Sequence, residues 1–82
     1  MKILYFAWLR ERIGESEELI DASGAETVND LVSLLRAKGE RYEAAFADLA
    51  AVKVAVDMKV RDWDTPLAGA SEVAFFPPMT GG

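Results

Sequence analysis

The chain has 82 residues, enough for one domain, with no cysteine, no histidine and a formal net charge of −5. This composition excludes disulfides, thiol nucleophiles, cysteine–histidine zinc sites and Ser-His-Asp triads. No run of carboxylates has the spacing of a calcium loop. We therefore expect neither a metal site nor a bound cofactor. The acidic charge favours a basic protein partner over nucleic acid. The sequence has neither an apolar run of about 20 residues nor the pattern of a secretory signal, so we expect a cytoplasmic protein with no membrane partner.

The first half of the chain has the pattern of two strands followed by a helix. Residues 2–8, rich in aliphatic and aromatic side chains, predict a strand, residues 10–16 a hairpin loop, and residues 17–22 a weaker second strand. Thr27 and Asp30 have the spacing of a short capping box, which predicts the start of a helix. Four apolar residues at helical spacing then form one face of this helix: Val28, Leu31, Val32 and Leu35.

The second half has the pattern of a short helix and three strands. Residues 41–49 predict the helix, and residues 52–56, which alternate valine with lysine or alanine, are the clearest strand in the sequence. A turn at residues 57–59 leads to a short strand at 60–63, and a last strand covers residues 72–76.

The order of these elements is typical of an α+β fold, in which one main helix packs on one face of a sheet. Pro77 and Pro78 end the last strand, since proline cannot donate a hydrogen bond to a sheet ladder. We therefore expect one domain over residues 1–78 and a flexible C-terminal tail over residues 79–82.

Alternation along the strands predicts which side chains face the helix and which face away from it. Because Lys2 and Lys53 should face away, residues of the same parity should do so too. The outward face should carry Leu4, Phe6, Trp8, Ala55, Ala74 and Phe76, with Val60 nearby. The inward face should carry Ile3, Tyr5, Ala7, Val52, Val54, Val56, Val73 and Phe75. An outward face this apolar favours a surface that binds a partner; the alternative is that the second helix or a loop covers it and makes it core.

The sequence ends in two glycines, Gly81 and Gly82, shortly after the proline stop. The four residues beyond Pro78 can span about 13–14 Å when extended. Residues without a side chain can pass through a narrow channel, and a partner groove would supply main-chain hydrogen bonds to offset their loss of entropy. The pattern favours a tail that inserts into a partner; the alternative is a disordered end with two glycines by chance.

Several segments carry a resemblance to a known family. The most specific is Val-Ala-Phe-Phe-Pro-Pro at residues 73–78, followed after two residues by Gly81 and Gly82. Less specific matches lie at residues 5–7, 10–11 and 64–67. Over essentially its whole length the chain resembles the small subunits of molybdopterin synthase, which are ubiquitin-like β-grasp proteins with a mixed sheet. One departure is Asp57, where this family would have asparagine.

The resemblance implies a sulfur carrier that works with two partner proteins. An adenylating enzyme of the ubiquitin-activating type would use ATP to adenylate the carboxylate of Gly82, and sulfur would then replace AMP to give a thiocarboxylate. The tail would insert into a large catalytic subunit and donate sulfur for the dithiolene of molybdopterin, so the chain itself would be a non-catalytic donor subunit. Tail insertion would involve Met79, Thr80 and Gly81. From the alternation of the strands, we expect the outward face to form the partner interface, with Phe6, Val60, Phe76 and Pro77.

Two other functions remain open at this point. A thiamin-pathway sulfur carrier, or a ubiquitin-like modifier that forms isopeptide bonds to lysine, would also end in two glycines. A protein-binding module of another class could use the open sheet face and carry an inert tail.

Overall fold

The computed structural model describes residues 1–78, which form a five-stranded sheet and three α-helices. The strands are β1 (Lys2–Tyr5), β2 (Glu17–Leu19), β3 (Lys53–Val56), β4 (Lys59–Arg61) and β5 (Glu72–Phe76). The helices are α1 (Trp8–Ile13), α2 (Val28–Arg36) and α3 (Glu40–Ala45), and a short 3-10 helix covers Leu49–Ala51. No helix within these residues has the length and apolar character needed to cross a membrane.

The sheet is mixed, with the strand order β2-β1-β5-β3-β4. The central strand β5 pairs in parallel with β1 and antiparallel with β3, whereas β1–β2 and β3–β4 are antiparallel neighbours. The predicted α+β class and the mixed sheet with one main helix are therefore confirmed.

The core lies on one face of the sheet, where all three helices pack. The apolar face of α2 is buried as its spacing predicts, and Leu35 is fully enclosed. On the sheet, the ring of Phe75 stacks with the rings of Tyr5 and Trp63. It also packs edge-on against the ring of Phe46, with 4.9 Å between the two ring centroids. The inward residues of the strands are all buried in this core: Ile3, Tyr5, Val54, Val56, Val73 and Phe75. The predicted inward parity is confirmed for these six.

The start of α2 is fixed by the predicted capping box. The Thr27 hydroxyl accepts a hydrogen bond from the Asp30 backbone N–H at 3.3 Å, and the Asp30 carboxylate accepts one from the Thr27 N–H at 3.1 Å. The backbone N–H groups of Glu26 and Thr27 together lower the pKa of Asp30. The cap therefore satisfies backbone donors that a helix start otherwise leaves unpaired.

The predicted hairpin loop at residues 10–16 is wrong, because α1 occupies most of it. Leu9 and Ile13, four residues apart and both fully buried, give α1 one apolar face against the core. Gly14 ends the helix in a left-handed conformation at φ 88°, and its N–H donates to the Arg10 carbonyl at 2.8 Å. The second strand is correspondingly shorter than predicted and ends at Leu19.

The first strand also ends earlier than predicted, at Tyr5. Ala7 has φ 54° and ψ −131°, a conformation that costs an L-residue of order 1–3 kcal/mol, and this sharp turn directs the chain into α1. Ala7 is exposed rather than inward, and Trp8 is the first residue of α1 rather than the last of a strand. The predicted faces of Ala7 and Trp8 are therefore wrong, whereas Phe6 is exposed as expected.

Glu18 on β2 makes three hydrogen bonds, to residues of β1, of α3 and of the connection between α2 and α3. Its carboxylate accepts from the hydroxyls of Tyr5 and Tyr42, each at 2.8 Å, and from the Lys38 ammonium at 3.1 Å. Burial alone would raise the pKa of Glu18, but these donors outweigh it and lower the pKa below the ordinary value of 4.5. Burial and the bond to Glu18 raise the pKa of Tyr42 to about 12. The cluster therefore favours a charged glutamate and neutral tyrosines.

Leu35→Ala should lower the free energy of unfolding by about 2–5 kcal/mol, because it leaves a cavity in the centre of the core. The matched control is Leu34→Ala, which truncates the neighbouring leucine on the exposed side of α2. Chemical denaturation of both variants measures the difference. A loss below about 0.5 kcal/mol for Leu35→Ala would contradict the burial of this helix face.

Glu18→Gln should destabilise the protein by about 1.5–3 kcal/mol at neutral pH, since it removes the charge that strengthens three hydrogen bonds. The folded-state pKa of Glu18 lies below its unfolded value of 4.5, so its contribution is complete above that pH and is lost as pH falls through the folded pKa. Thermal unfolding of both proteins from pH 7 to pH 2 should show their difference shrinking below pH 4.5. A pH-independent difference would contradict this account.

A candidate protein-docking face

The sheet face opposite the core carries a row of apolar side chains across four strands. In register, Leu4 of β1 lies beside Ala74 of β5, Ala74 beside Ala55 of β3, and Ala55 beside Val60 of β4. The flanking registers hold buried pairs such as Ile3 with Val73, whose side chains point to the core. The predicted outward parity of Leu4, Ala55 and Ala74 is confirmed, and Val60 lies nearby as expected.

No helix of residues 1–78 covers this face, although its two central alanines are themselves buried, with Ala55 8% and Ala74 9% exposed. The buried residues of all three helices belong to the core on the other side of the sheet, so the alternative in which the second helix covers the outward face is wrong for this part of the chain. Phe6 is 49% exposed, Val60 67% and Met58 88%. A shallow depression of about 680 Å³ is lined by Leu4, Phe6, Ala55, Met58, Glu72, Ala74, Phe76, Pro77 and Pro78. We call this surface the docking face.

Three of the four predicted interface residues meet in this depression, namely Phe6, Phe76 and Pro77. Val60 shares the sheet face through its pairing with Ala55, but its side chain lines a neighbouring, more polar hollow of about 460 Å³ with Lys53, Arg61, Asp62, Trp63 and others. Val60 therefore belongs to the edge of the docking face rather than to its centre.

Met58 is an exposed apolar residue of the docking face that sequence reasoning missed. The sequence identified residues 57–59 only as a turn, and turns are usually polar. The signal was present, because a large apolar side chain stands in a two-residue connection beside the outward pair Ala55 and Val60, which is also apolar.

The charged residues of this face lie around its apolar centre. Lys2 lies beside Glu72 in the β1–β5 register and approaches the Glu17 carboxylate at 3.7 Å. Lys53 lies beside Phe76 in the β3–β5 register. An apolar centre with a polar rim is the usual anatomy of a protein–protein interface, in which the rim contributes orientation more than affinity.

Asp57 fixes the β3–β4 turn against the start of β5. Its carboxylate accepts hydrogen bonds from the backbone N–H groups of Ser71 at 2.9 Å and Glu72 at 3.0 Å, and its own N–H donates to the Glu72 carbonyl at 2.9 Å. An asparagine side chain has an equivalent acceptor oxygen, so this departure from the expected family residue keeps the same contact.

The docking face reaches the point where the predicted tail begins. Strand β5 ends at Phe76, and Pro77 and Pro78 continue along the rim of the depression. Met79, Thr80, Gly81 and Gly82, predicted to insert into a partner and to carry the reactive carboxylate, lie outside the described residues, and so does the predicted boundary between domain and tail. Within residues 1–78, no group of three or more acidic side chains is arranged to hold a metal ion.

Comparison with known proteins identifies the family to which this fold and ending belong. The sequence pattern described as the ThiS family matches residues 3–82. The chain belongs to the ThiS family. It is 37% identical over 82 residues to the molybdopterin synthase sulfur carrier subunit of Escherichia coli K12, covering 100% of this chain and 99% of that protein. It is 31% identical over 84 residues to the subunit of the same name from Haemophilus influenzae, with the same coverage.

A solved structure gives the fold independently. The crystal structure of SAMP1 from Haloferax volcanii matches with a TM-score of 0.75, covering 100% of this chain and 98% of that one at 24% identity. At that identity the likeness shows the fold alone. The ubiquitin-like β-grasp fold and the resemblance to molybdopterin synthase small subunits are therefore confirmed.

Phe76→Ala should weaken binding to the partner that occupies the docking face while changing the melting temperature little, because Phe76 is only partly buried and lies outside the core. Its matched control is Phe75→Ala, whose side chain is fully buried and whose loss should cost about 3–5 kcal/mol of stability. Calorimetry gives the melting temperatures, and titration with a purified large subunit gives the affinity. If Phe76→Ala unfolds the protein and the folded fraction binds normally, Phe76 is a core residue.

Proposed function

We propose that this chain is a sulfur carrier that supplies sulfur for dithiolene formation in molybdopterin biosynthesis. The observation that carries the proposal is the full-length match to two sulfur carrier subunits of molybdopterin synthase, which includes the Gly-Gly ending. The open apolar face that continues to Pro78 supports the same function, because a carrier must dock on its partners next to its reactive end.

The reactive group in this proposal is the carboxylate of Gly82. A carboxylate oxygen attacks the α-phosphorus of ATP on an adenylating enzyme, which releases pyrophosphate and forms an acyl-adenylate. A sulfide-level nucleophile such as hydrosulfide then attacks the acyl carbon, the bond to AMP breaks and AMP leaves with its electron pair, and loss of the sulfur-bound proton gives the thiocarboxylate. The carrier needs this activation because a free carboxylate is a poor electrophile until one oxygen becomes part of a good leaving group.

The composition of the chain is consistent with a donor that relies on its partners for catalysis. It has no cysteine or histidine to act as nucleophile or general base near neutral pH. The proposal therefore assigns ATP use to the adenylating enzyme and the pterin chemistry to a large catalytic subunit, with no cofactor bound by the carrier. The carrier contributes a docking surface and a reactive end of suitable reach.

The geometry of the domain suits this division of roles. Pro77 and Pro78 restrict the backbone where it leaves the sheet, and the four residues beyond them can reach about 13–14 Å. Two glycines at the end fit a channel too narrow for side chains. Docking through the sheet face would then place the end of the chain at a set depth in the partner's active site, as group transfer requires.

Extending the chain by one residue beyond Gly82 should abolish sulfur transfer, because the reactive carboxylate becomes an unreactive amide. Deleting Gly82 should also abolish it, since the reactive carbon moves back by about 3.5 Å and a displacement of 1 Å can cost a hundredfold in rate. The control is thermal unfolding, which should be unchanged because neither change touches the core. The measurement is sulfur transfer to the pterin precursor with the activating enzyme, ATP, a sulfur source and the large subunit present.

Intact mass provides a second readout of the same chemistry. After activation the parent chain should gain the mass that replacement of one oxygen by sulfur gives, and the extended chain should gain none. Full activity of an extended chain, with its mass showing that it was not trimmed, would rule out the carrier mechanism. A parent chain that binds partners but never gains this mass would instead be a binding module.

A further inference from the structure

We propose that Met58 is a specificity anchor that inserts into an apolar pocket of the large catalytic subunit, at the end of the docking face opposite the tail. The inference rests on the proposed function and assigns a role in it to a residue of the β3–β4 turn. The local backbone of this turn favours glycine, yet methionine occupies it.

The turn between β3 and β4 has a backbone that favours glycine. Val56 pairs with Lys59, which leaves Asp57 and Met58 as a two-residue connection with φ values of 48° and 71°. Positive φ at both positions defines the hairpin turn for which Asn-Gly and Asp-Gly are strongly preferred. Asp57 suits the first position, but a methionine at the second accepts a left-handed conformation that its Cβ disfavours.

The domain gains no packing in return for this strained residue. Met58 is 88% exposed, the highest exposure among the large apolar residues in the described part of the chain, and it contributes nothing to the core. Strained residues kept without local compensation concentrate at functional sites. We therefore infer that the side chain of Met58 makes its contact with another molecule.

The turn holds Met58 in a defined place. The Asp57 carboxylate binds two backbone N–H groups at the start of β5, and the backbone of Asp57 binds the Glu72 carbonyl. The turn is thus attached both to β3–β4 and to the central strand. A side chain presented from a fixed backbone loses less entropy on binding, which is a property of interface hot spots.

The position of Met58 separates it from the reactive end. Met58 lies near Glu72, at the start of β5, whereas the chain leaves the sheet after Phe76, four residues and about 13 Å further along the strand. Both ends line the same depression. A partner that receives the tail and covers this face must therefore contact Met58, and the contact contributes to docking rather than to the reacting atoms.

The charge of the chain favours a different protein over a second copy as the occupant. Two copies, each with a net charge of −5, repel one another, whereas a basic subunit is attracted. Methionine is unbranched and polarizable, so it fits an apolar pocket well. The occupant proposed here is accordingly the large subunit, which would present a basic surface and an apolar pocket for Met58.

Met58→Gly tests the proposal through effects of opposite sign. The melting temperature should rise, because glycine adopts the turn without strain, while the Kd for the large subunit should increase about tenfold, which corresponds to 1.4 kcal/mol. Met58→Gln, of similar length and equal backbone strain, should weaken binding to a similar extent without raising the melting temperature. Leu34→Ala, which truncates an exposed leucine on α2 away from this face, is the control and should leave Kd unchanged.

Activity measurements distinguish the anchor from the tail. For both Met58 variants the large-subunit concentration that gives half-maximal sulfur transfer should rise about tenfold, and the rate at saturation should be recovered. An unchanged Kd for both variants, with a wild-type chain that transfers sulfur, overturns the anchor and leaves the carrier function standing. A wild-type chain that transfers no sulfur overturns the carrier function. If sedimentation shows that the free wild-type chain dimerises and Met58→Gln does not, the occupant is a second copy and the proposal is wrong.

Discussion

The alternation of side chains along β5 is the constraint on which both faces of the sheet depend. This strand lies between β1 and β3, so its residues occupy the centre of each face. Val73 and Phe75 are buried under the helices, and Ala74 and Phe76 belong to the docking face. A shift of one residue in its register would exchange the two sets, placing Phe75 outside and Phe76 in the core. The register of one strand therefore fixes the core and the docking face together.

One face of the sheet stabilises this small domain, and the other face is left for binding a partner. An 82-residue chain buries a smaller share of its surface than a larger protein, so it needs most of its large apolar residues in one core. The docking face uses small residues at its centre, Ala55 and Ala74, and larger ones around them. Such a face is a broad, shallow depression. A partner can cover it without the domain having to reorganise, which keeps the cost of binding low.

Much of this architecture could be predicted because several elements have strong local signals. Thr27 and Asp30 marked the start of α2, and Lys2 and Lys53 assigned the sheet faces. The early turn at Ala7 could not be predicted, because nothing in an alanine indicates φ 54°, so the short helix α1 lies where the sequence predicts a strand end and a loop. The bonds of Glu18 to Tyr5 and Tyr42 join residues far apart in sequence, so only the fold brings them together.

Some residues of the docking face could likewise be predicted from the local sequence pattern, and others only from the tertiary structure. Alternation predicts Phe6 and Phe76 as outward residues, and the structure brings both into one depression with the predicted interface residue Pro77. Met58 was not predicted, because strand alternation cannot assign a turn residue to a sheet face until the hairpin that contains it is known. Once Asp57 is seen bound to the start of β5, the turn becomes a part of the docking face rather than a connection beside it. The face then has a fixed end at Met58 and a chain exit at Pro78, so a substitution at one end can change the docking surface without altering the other end.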